Sequence, residues 1–232
     1  MVPLSEVEVV LAHGAGSGAS FLQAALPADV LGAAATALLD DRSGDTALVA
    51  AAMLRAAEEA TGPVILGGVS TGAHAAAIAL AGAGPNVVAG LLLLPAWTGA
   101  PSAVAGMLET AADAIASLGI AGVLAELPPD DWASVEHRRS WGARGTEELV
   151  AELRTAAACQ GPSVAQLRAI DVPVGIVAMS TDPLHPVSVA ARWTREIPGS
   201  SWVTMSRTAP DTDIAAFGQA AAAALSEAIG ER

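Results

Sequence analysis

Gly68-Val69-Ser70-Thr71-Gly72 spells the pattern G-x-S-x-G. The apolar run 63–69 before it reads as a strand, and the stretch of small residues 71–81 after it reads as a helix. In that setting the pattern is a sharp strand-to-helix turn that lifts a serine hydroxyl above the carboxyl edge of a sheet. The glycines permit the turn. The helix start beneath offers backbone N–H groups and a positive dipole end to negative charge as it develops. Such a serine attacks an acyl carbon. The plain alternative is a Gly/Ser turn of an α/β protein with no chemistry.

A second glycine-rich loop, His13-Gly14-Ala15-Gly16-Ser17-Gly18, follows the apolar run 7–12. Its glycines let the backbone turn close under a substrate, and the N–H of Ala15 can join that of Thr71 as an oxyanion pair. His13 and Gly14 read as loop residues that shape this turn. A phosphate-binding loop competes, but Gly14 to Ala19 fits G-x-G-x-x-G only in a loose form ending on alanine.

Further strands are expected at 35–39, 87–94, 172–179 and 201–205, with helices at 45–60, 186–197 and 211–229. Near-continuous apolar runs are the mark of parallel strands buried on both faces. Alternation with helices predicts an α/β fold with a mostly parallel, doubly wound sheet. Residues 99–169 break the rhythm. They open with a helix carrying Val104, Met107, Leu108, Ala111, Ile115 and Leu118 on one stripe, continue with helices at 131–141 and 146–158, and end in a short helix capped by Ser163 and Gln166. The expectation is a single domain over 1–232 with a helical insertion, either a lid or packing. Trp97, Trp132 and Trp141 either line a pocket beneath it or pack in the core.

Composition narrows the function. The 232 residues are 53% hydrophobic, which excludes a disordered chain. Eleven arginines and no lysine stand against 24 carboxylates, a formal charge of −13, which disfavours nucleic acid as a partner. The single cysteine, Cys159, rules out an internal disulfide and reads as a packed apolar side chain. Asp40, Asp41 and Asp45 read as turn and cap groups, so no metal is expected. The first residues lack the basic and apolar regions of a secretory signal, and apolar runs such as 87–97 are short for a bilayer. A cytoplasmic protein with no membrane partner is the expectation.

Together these features resemble the α/β-hydrolase fold family over nearly the whole chain: the His13-Gly14 loop, Asp41-Arg42 after the second strand, the Ser70 turn, the insertion after Trp97 and Asp182 after the strand ending at Met179. The family's usual first two strands have no room before Val7, so this looks like a trimmed member. The resemblance implies an α/β-hydrolase-like sheet with a helical lid, cofactor-free chemistry and Asp182 as the catalytic acid. It also implies a histidine after the last strand, where this chain has Ser206-Arg207-Thr208 and no histidine follows His185. Of the four histidines, His74 reads as packed and His137 as solvent-facing among charged neighbours. His185 lies in the acid's own loop, Asp182-Pro183-Leu184-His185-Pro186, and is the candidate base. Pro186 is a favoured first helical residue, which puts His185 near a helix start.

Three functions remain open: a serine hydrolase acting on a small or medium, partly apolar ester, thioester or related acyl substrate; a lyase or cyclase on the same fold; and an inactive binding protein.

Overall fold

The computed structural model describes residues 3–102 and 104–230. Its strands are Glu8–Ala12 (β1), Ala35–Leu39 (β2), Val64–Val69 (β3), Val87–Leu93 (β4), Val174–Ser180 (β5) and Ser200–Ser206 (β6). They pair in parallel throughout, in the order β2-β1-β3-β4-β5-β6. The order reverses between β1 and β3. Loops leaving the carboxyl ends of neighbouring strands diverge there, and open α/β sheets bind ligands in that crevice. The Gly14 loop follows β1 and the Ser70 turn follows β3.

The helices are Ala19–Ala25 (α1), Ala28–Leu31 (α2), Thr46–Glu59 (α3), Thr71–Leu80 (α4), Ala105–Glu126 (α5), Trp132–Trp141 (α6), Thr146–Ala158 (α7), Val164–Ala169 (α8), Val187–Glu196 (α9), Ala209–Thr212 (α10) and Ala216–Gly230 (α11). Side chains alternate across each strand, so the sheet carries two cores. Val10, Leu66, Leu92 and Ile176 pack on one face against α3, α4, α8 and α9. Val9, Leu11, Ile65, Leu91 and Val177 pack on the other against α1, α2 and α11. Burying each such Leu or Ile contributes about 1.5–3 kcal/mol. Ala73, Ala75, Ala76 and Ala77 are fully buried on α4, and their small side chains bring its axis close to the sheet.

Several expectations change. Residues 19–31, to which no element is assigned from the sequence, form α1 and α2. They are short, and Gly32 in the left-handed region (φ 68°) ends the second. The expected helix at 211–229 is two, α10 and α11. Of the expected apolar stripe on α5 only Ile115 is fully buried, while Leu118 is 60% exposed and Met107 41%; Ala112 and Ile120, outside that stripe, are covered instead. Gly119 (φ 70°, ψ 163°) interrupts the helix and re-aims the residues on either side. By length and composition α5 is also apolar enough to cross a membrane, a stretch the sequence reading passed over. Here it packs against α7, with Leu149, Val150 and Leu153 in the shared core.

Candidate active site

Ser70 sits between β3 and α4 with φ 58° and ψ −120°, a conformation costly for any residue with a Cβ. Its neighbours explain the motif. A Cβ on Gly68 would lie 2.4 Å from the Gly72 backbone, and one on Gly72 only 2.2 Å from Ala12 O. The turn is tight because both glycines press against backbone. The Ser70 N–H donates to Leu93 O at 2.9 Å, which ties the turn to β4. Thr71 opens α4, so its N–H has no acceptor within the helix.

The loop after β5 brings Asp182 and His185 toward Ser70. Thr181 takes φ 61°, and the Leu184 N–H donates to Asp182 Oδ1 at 2.9 Å, folding the chain back on itself. His185 Nδ1 then lies 2.8 Å from Asp182 Oδ2, and His185 Nε2 lies 2.9 Å from Ser70 Oγ. With the ring proton on Nδ1, directed at the carboxylate, Nε2 accepts from the serine hydroxyl. Both side chains are largely covered, at 11% and 7% exposure for His185 and Asp182. Burial by itself would raise the Asp182 pKa. The hydrogen bond and charge of His185, the Leu184 N–H and the Arg207 guanidinium outweigh it and hold the carboxyl below its ordinary value. Pro186 is the cap of α9 rather than its first residue, as the sequence reading had it, because its ψ of 128° is extended.

Gly14 to Ser17 form a turn closed by the Ser17 N–H donating to Gly14 O at 3.1 Å. Gly16 has φ 74° while Ala15 stays at negative φ, which makes it a type II turn. It lies against Ser70: a Cβ on Gly14 would be 2.9 Å from Ser70 Cβ. The expected oxyanion pair needs one correction. The Ala15 N–H is not free but donates to the Thr71 hydroxyl Oγ1 at 2.9 Å. His13 touches Gly14 O through Nδ1 at 2.8 Å and faces Asp40 through Nε2 at 3.4 Å, so it braces the loop. The loop N–H groups answer the phosphate reading. Those of Ala15, Gly16, Ser17 and Ala19 donate to Thr71, Glu152, Gly14 and Asp40, which leaves none of these four for a phosphate. Asp45 caps α3, and Asp41 accepts from the Ser43 N–H. Among the described residues no three His, Cys, Asp or Glu side chains gather as metal ligands.

Ser70, Asp182 and His185 border a cavity of about 210 Å³. Its walls are mostly apolar. Phe21, Val69, Leu94, Trp97 and Leu184 come from the sheet side, and Met107, Leu108, Trp132, Trp141 and Leu153 from the 99–169 insertion. All three tryptophans therefore both line the cavity and pack. The Nε1–H groups of Trp97, Trp132 and Trp141 donate to the carbonyls of Cys159, Arg207 and Gly16. Buried His74 accepts from the Ala96 and Trp97 N–H groups at 3.0 and 3.3 Å and fixes the wall behind Ser70. Burial, with His185 nearby, pushes its pKa down to about 3, so the ring is neutral.

His137 is not solvent-facing. It is half-buried at the cavity wall, stacked on Trp141 with ring centroids 4.3 Å apart. Burial, partly offset by Asp131, holds its pKa down to about 4. Its charged neighbours divide: Glu136 is buried and lines the same cavity, whereas Arg138 turns away to bond the carbonyls of Leu127 and Pro128. Other residues at the site escaped the sequence reading. Arg207, in the loop after β6, lies over the Trp132 ring at 5.8 Å. Glu152 holds the Gly14–Ser17 turn. The available signal was a charge on the buried stripe of α7, beside Leu149, Leu153 and Ala156.

No family model matches the sequence, and no curated protein matches it. Solved structures do. A hydrolase from Pseudomonas aeruginosa PA01 superposes with a TM-score of 0.68 at 18% identity, covering 97% of this chain and 90% of that one. A proposed non-heme bromoperoxidase from Mycobacterium tuberculosis H37Rv gives 0.71 at 17% identity, covering 95% and 92%. The enol-lactonase from Burkholderia xenovorans LB400 gives 0.67 at 13% identity, covering 86% and 83%. With the parallel sheet and the helices on both faces, these likenesses give the chain the α/β-hydrolase fold.

Proposed function

We propose that this α/β-hydrolase-fold chain is a serine hydrolase of carboxylic esters, thioesters or related acyl compounds, with Ser70 as nucleophile, His185 as base and Asp182 as acid. The observation that carries the reading is the unbroken chain Ser70 Oγ, His185 Nε2, His185 Nδ1, Asp182 Oδ2, with links of 2.9 and 2.8 Å. A nucleophile bonded to a base, itself oriented by a carboxylate, is the arrangement that activates serine. Likeness to a hydrolase and an enol-lactonase accords with acyl chemistry.

Ser70 Oγ attacks the acyl carbon as its proton passes to His185 Nε2. Asp182 stabilises the imidazolium. The oxyanion forms beside the Thr71 N–H and the Ala15 N–H. The latter leaves its neutral acceptor, Thr71 Oγ1, for a charged one, and hydrogen bonds to ionised acceptors are roughly twice as strong. That exchange happens only as charge develops, so it favours the transition state over the bound substrate. The imidazolium then protonates the leaving alcohol or thiol. Water, deprotonated by His185, cleaves the acyl-enzyme and returns Ser70. The apolar walls suit a small, partly apolar acyl body, and the insertion helices act as a lid over it. No cofactor enters the scheme.

A fluorophosphonate probe followed by peptide mapping tests the reading, together with hydrolysis of short p-nitrophenyl esters. Labelling confined to Ser70 and lost in Ser70→Ala supports it. A parent protein that takes no label and cleaves no ester returns weight to the lyase, cyclase or binding readings.

A further inference from the structure

We infer that Glu152, with Arg144 as its counter-charge, is a positioning residue for the oxyanion turn. The inference rests on the serine hydrolase reading of the same site. Glu152 lies on α7, far from the reacting atoms in sequence, and its side chain is 1% exposed. One carboxylate oxygen accepts from the Gly16 N–H at 2.7 Å, and the other is bound by Arg144, also 1% exposed. A buried ion pair is weak evidence for stability, because desolvation of both charges offsets their attraction. Among the described residues Arg144 Nε and Nη1 have no hydrogen-bond partner, which deepens the cost. The geometry points to what the pair does for the turn.

The Gly16 N–H belongs to the central peptide of the Gly14–Ser17 turn. Type I and type II turns differ by a flip of that peptide. A carboxylate held on the Gly16 N–H selects the type II form, the one with Gly16 at φ 74°. Trp141 Nε1–H donates to Gly16 O at 2.8 Å and Ser17 Oγ to Glu136 at 2.9 Å, so α6 and α7 grip the turn from three directions. The next N–H back along the chain is that of Ala15, the proposed oxyanion donor. Its direction follows from the orientation of the turn, and an arginine-anchored carboxylate holds it more firmly than a surface side chain would. The insertion therefore does more than cover the cavity: it presses half of the oxyanion hole against Ser70.

The test compares two double variants, since Glu152 removed alone would strand the Arg144 charge. Glu152→Leu with Arg144→Met replaces the pair by apolar groups of similar size, which buried pairs often tolerate. Glu152→Gln with Arg144→Met keeps an acceptor for Gly16. Two readouts are taken: kcat and KM for a p-nitrophenyl ester, and the amide proton shifts of Ala15 and Gly16. The Leu/Met protein is expected to lose about 30-fold or more in kcat with KM within about twofold, approaching the 10²–10³ lost when an oxyanion donor is removed. Both amide resonances should move, and the Gln/Met protein should recover to within about fivefold of the parent. A Leu/Met protein with parental kcat overturns the inference, as does a loss the Gln/Met protein does not repair. If the parent cleaves no ester, the hydrolase reading fails. The amide shifts then still decide whether Glu152 holds the turn, and unmoved shifts refute it.

Discussion

Asp182 and His185 stand three residues apart on one loop and meet through Asp182 Oδ2 and His185 Nδ1 at 2.8 Å. The imidazole and carboxylate proposed as base and acid thus share a single turn, closed by the Leu184 N–H on the other carboxylate oxygen. The loop after β6, free of that task, contributes Arg207 to the cavity wall. The arrangement has consequences that can be measured.

Ser70→Ala should lower kcat for any ester substrate by at least about 10⁴-fold while leaving the fold intact. Ser70 lines the cavity, and the substitution removes only its hydroxyl. Intact mass after probe treatment and a thermal melt check both halves. Labelling at another residue would place the nucleophile elsewhere.

His185→Gln should fall as far as Ser70→Ala, within about tenfold, because groups that act as a unit share one loss. Asp182→Asn should cost about 10²–10⁴-fold in kcat by allowing the wrong tautomer. Steady-state kinetics at fixed pH reads both. Near-parental activity in His185→Gln would remove it from the mechanism.

Gly72→Ala should destabilise the protein by about 3 kcal/mol or more, since overpacking against backbone leaves no flexible atom to yield. The added carbon would sit 2.2 Å from Ala12 O. Gly62→Ala, where nothing lies within 4 Å, is the matched control and should change little. Urea midpoints of the two variants settle the comparison.

Acid should destabilise the fold through His74 and His137. Their folded pKa values, about 3 and about 4, lie below the unfolded value of 6.5. Between those limits the unfolded chain binds more protons than the folded one, so stability falls as pH drops below about 6.5. Each histidine contributes up to about 1.4 kcal/mol per pH unit, and the lowered Asp182 pKa adds to the loss below about 3.8. His74→Gln, which cannot titrate, should flatten the decline between pH 6.5 and 4. An unchanged slope in urea titrations would exclude His74 as its source.

Leu108→Trp should reduce the cavity that Leu108 lines from α5. Ester hydrolysis is expected to shift toward shorter acyl chains, with about 10-fold or more lost for a longer ester and little change for acetate. An unchanged chain-length profile would mean the acyl group lies elsewhere.

The sequence by itself carried the sheet, the Ser70 turn and the loop of Asp182 and His185, because each is encoded by neighbours a few residues apart. Buried parallel strands are continuous apolar runs, and the tight turn needs Gly68 and Gly72 where backbone meets backbone. What the sequence could not carry was the direction of groups set by partners far along the chain. His185 reaches Ser70 across 115 residues, and Glu152 reaches Gly16 across 136. His137 reads as exposed from its charged neighbours, yet consecutive helix side chains point about 100° apart, so Arg138 can face carbonyls while His137 faces the cavity. The Ala15 N–H reads as free because a local pattern holds no record of the Thr71 hydroxyl that packing brings to it. Local periodicity says which face of an element is apolar. Only the packed structure decides which atoms that face meets.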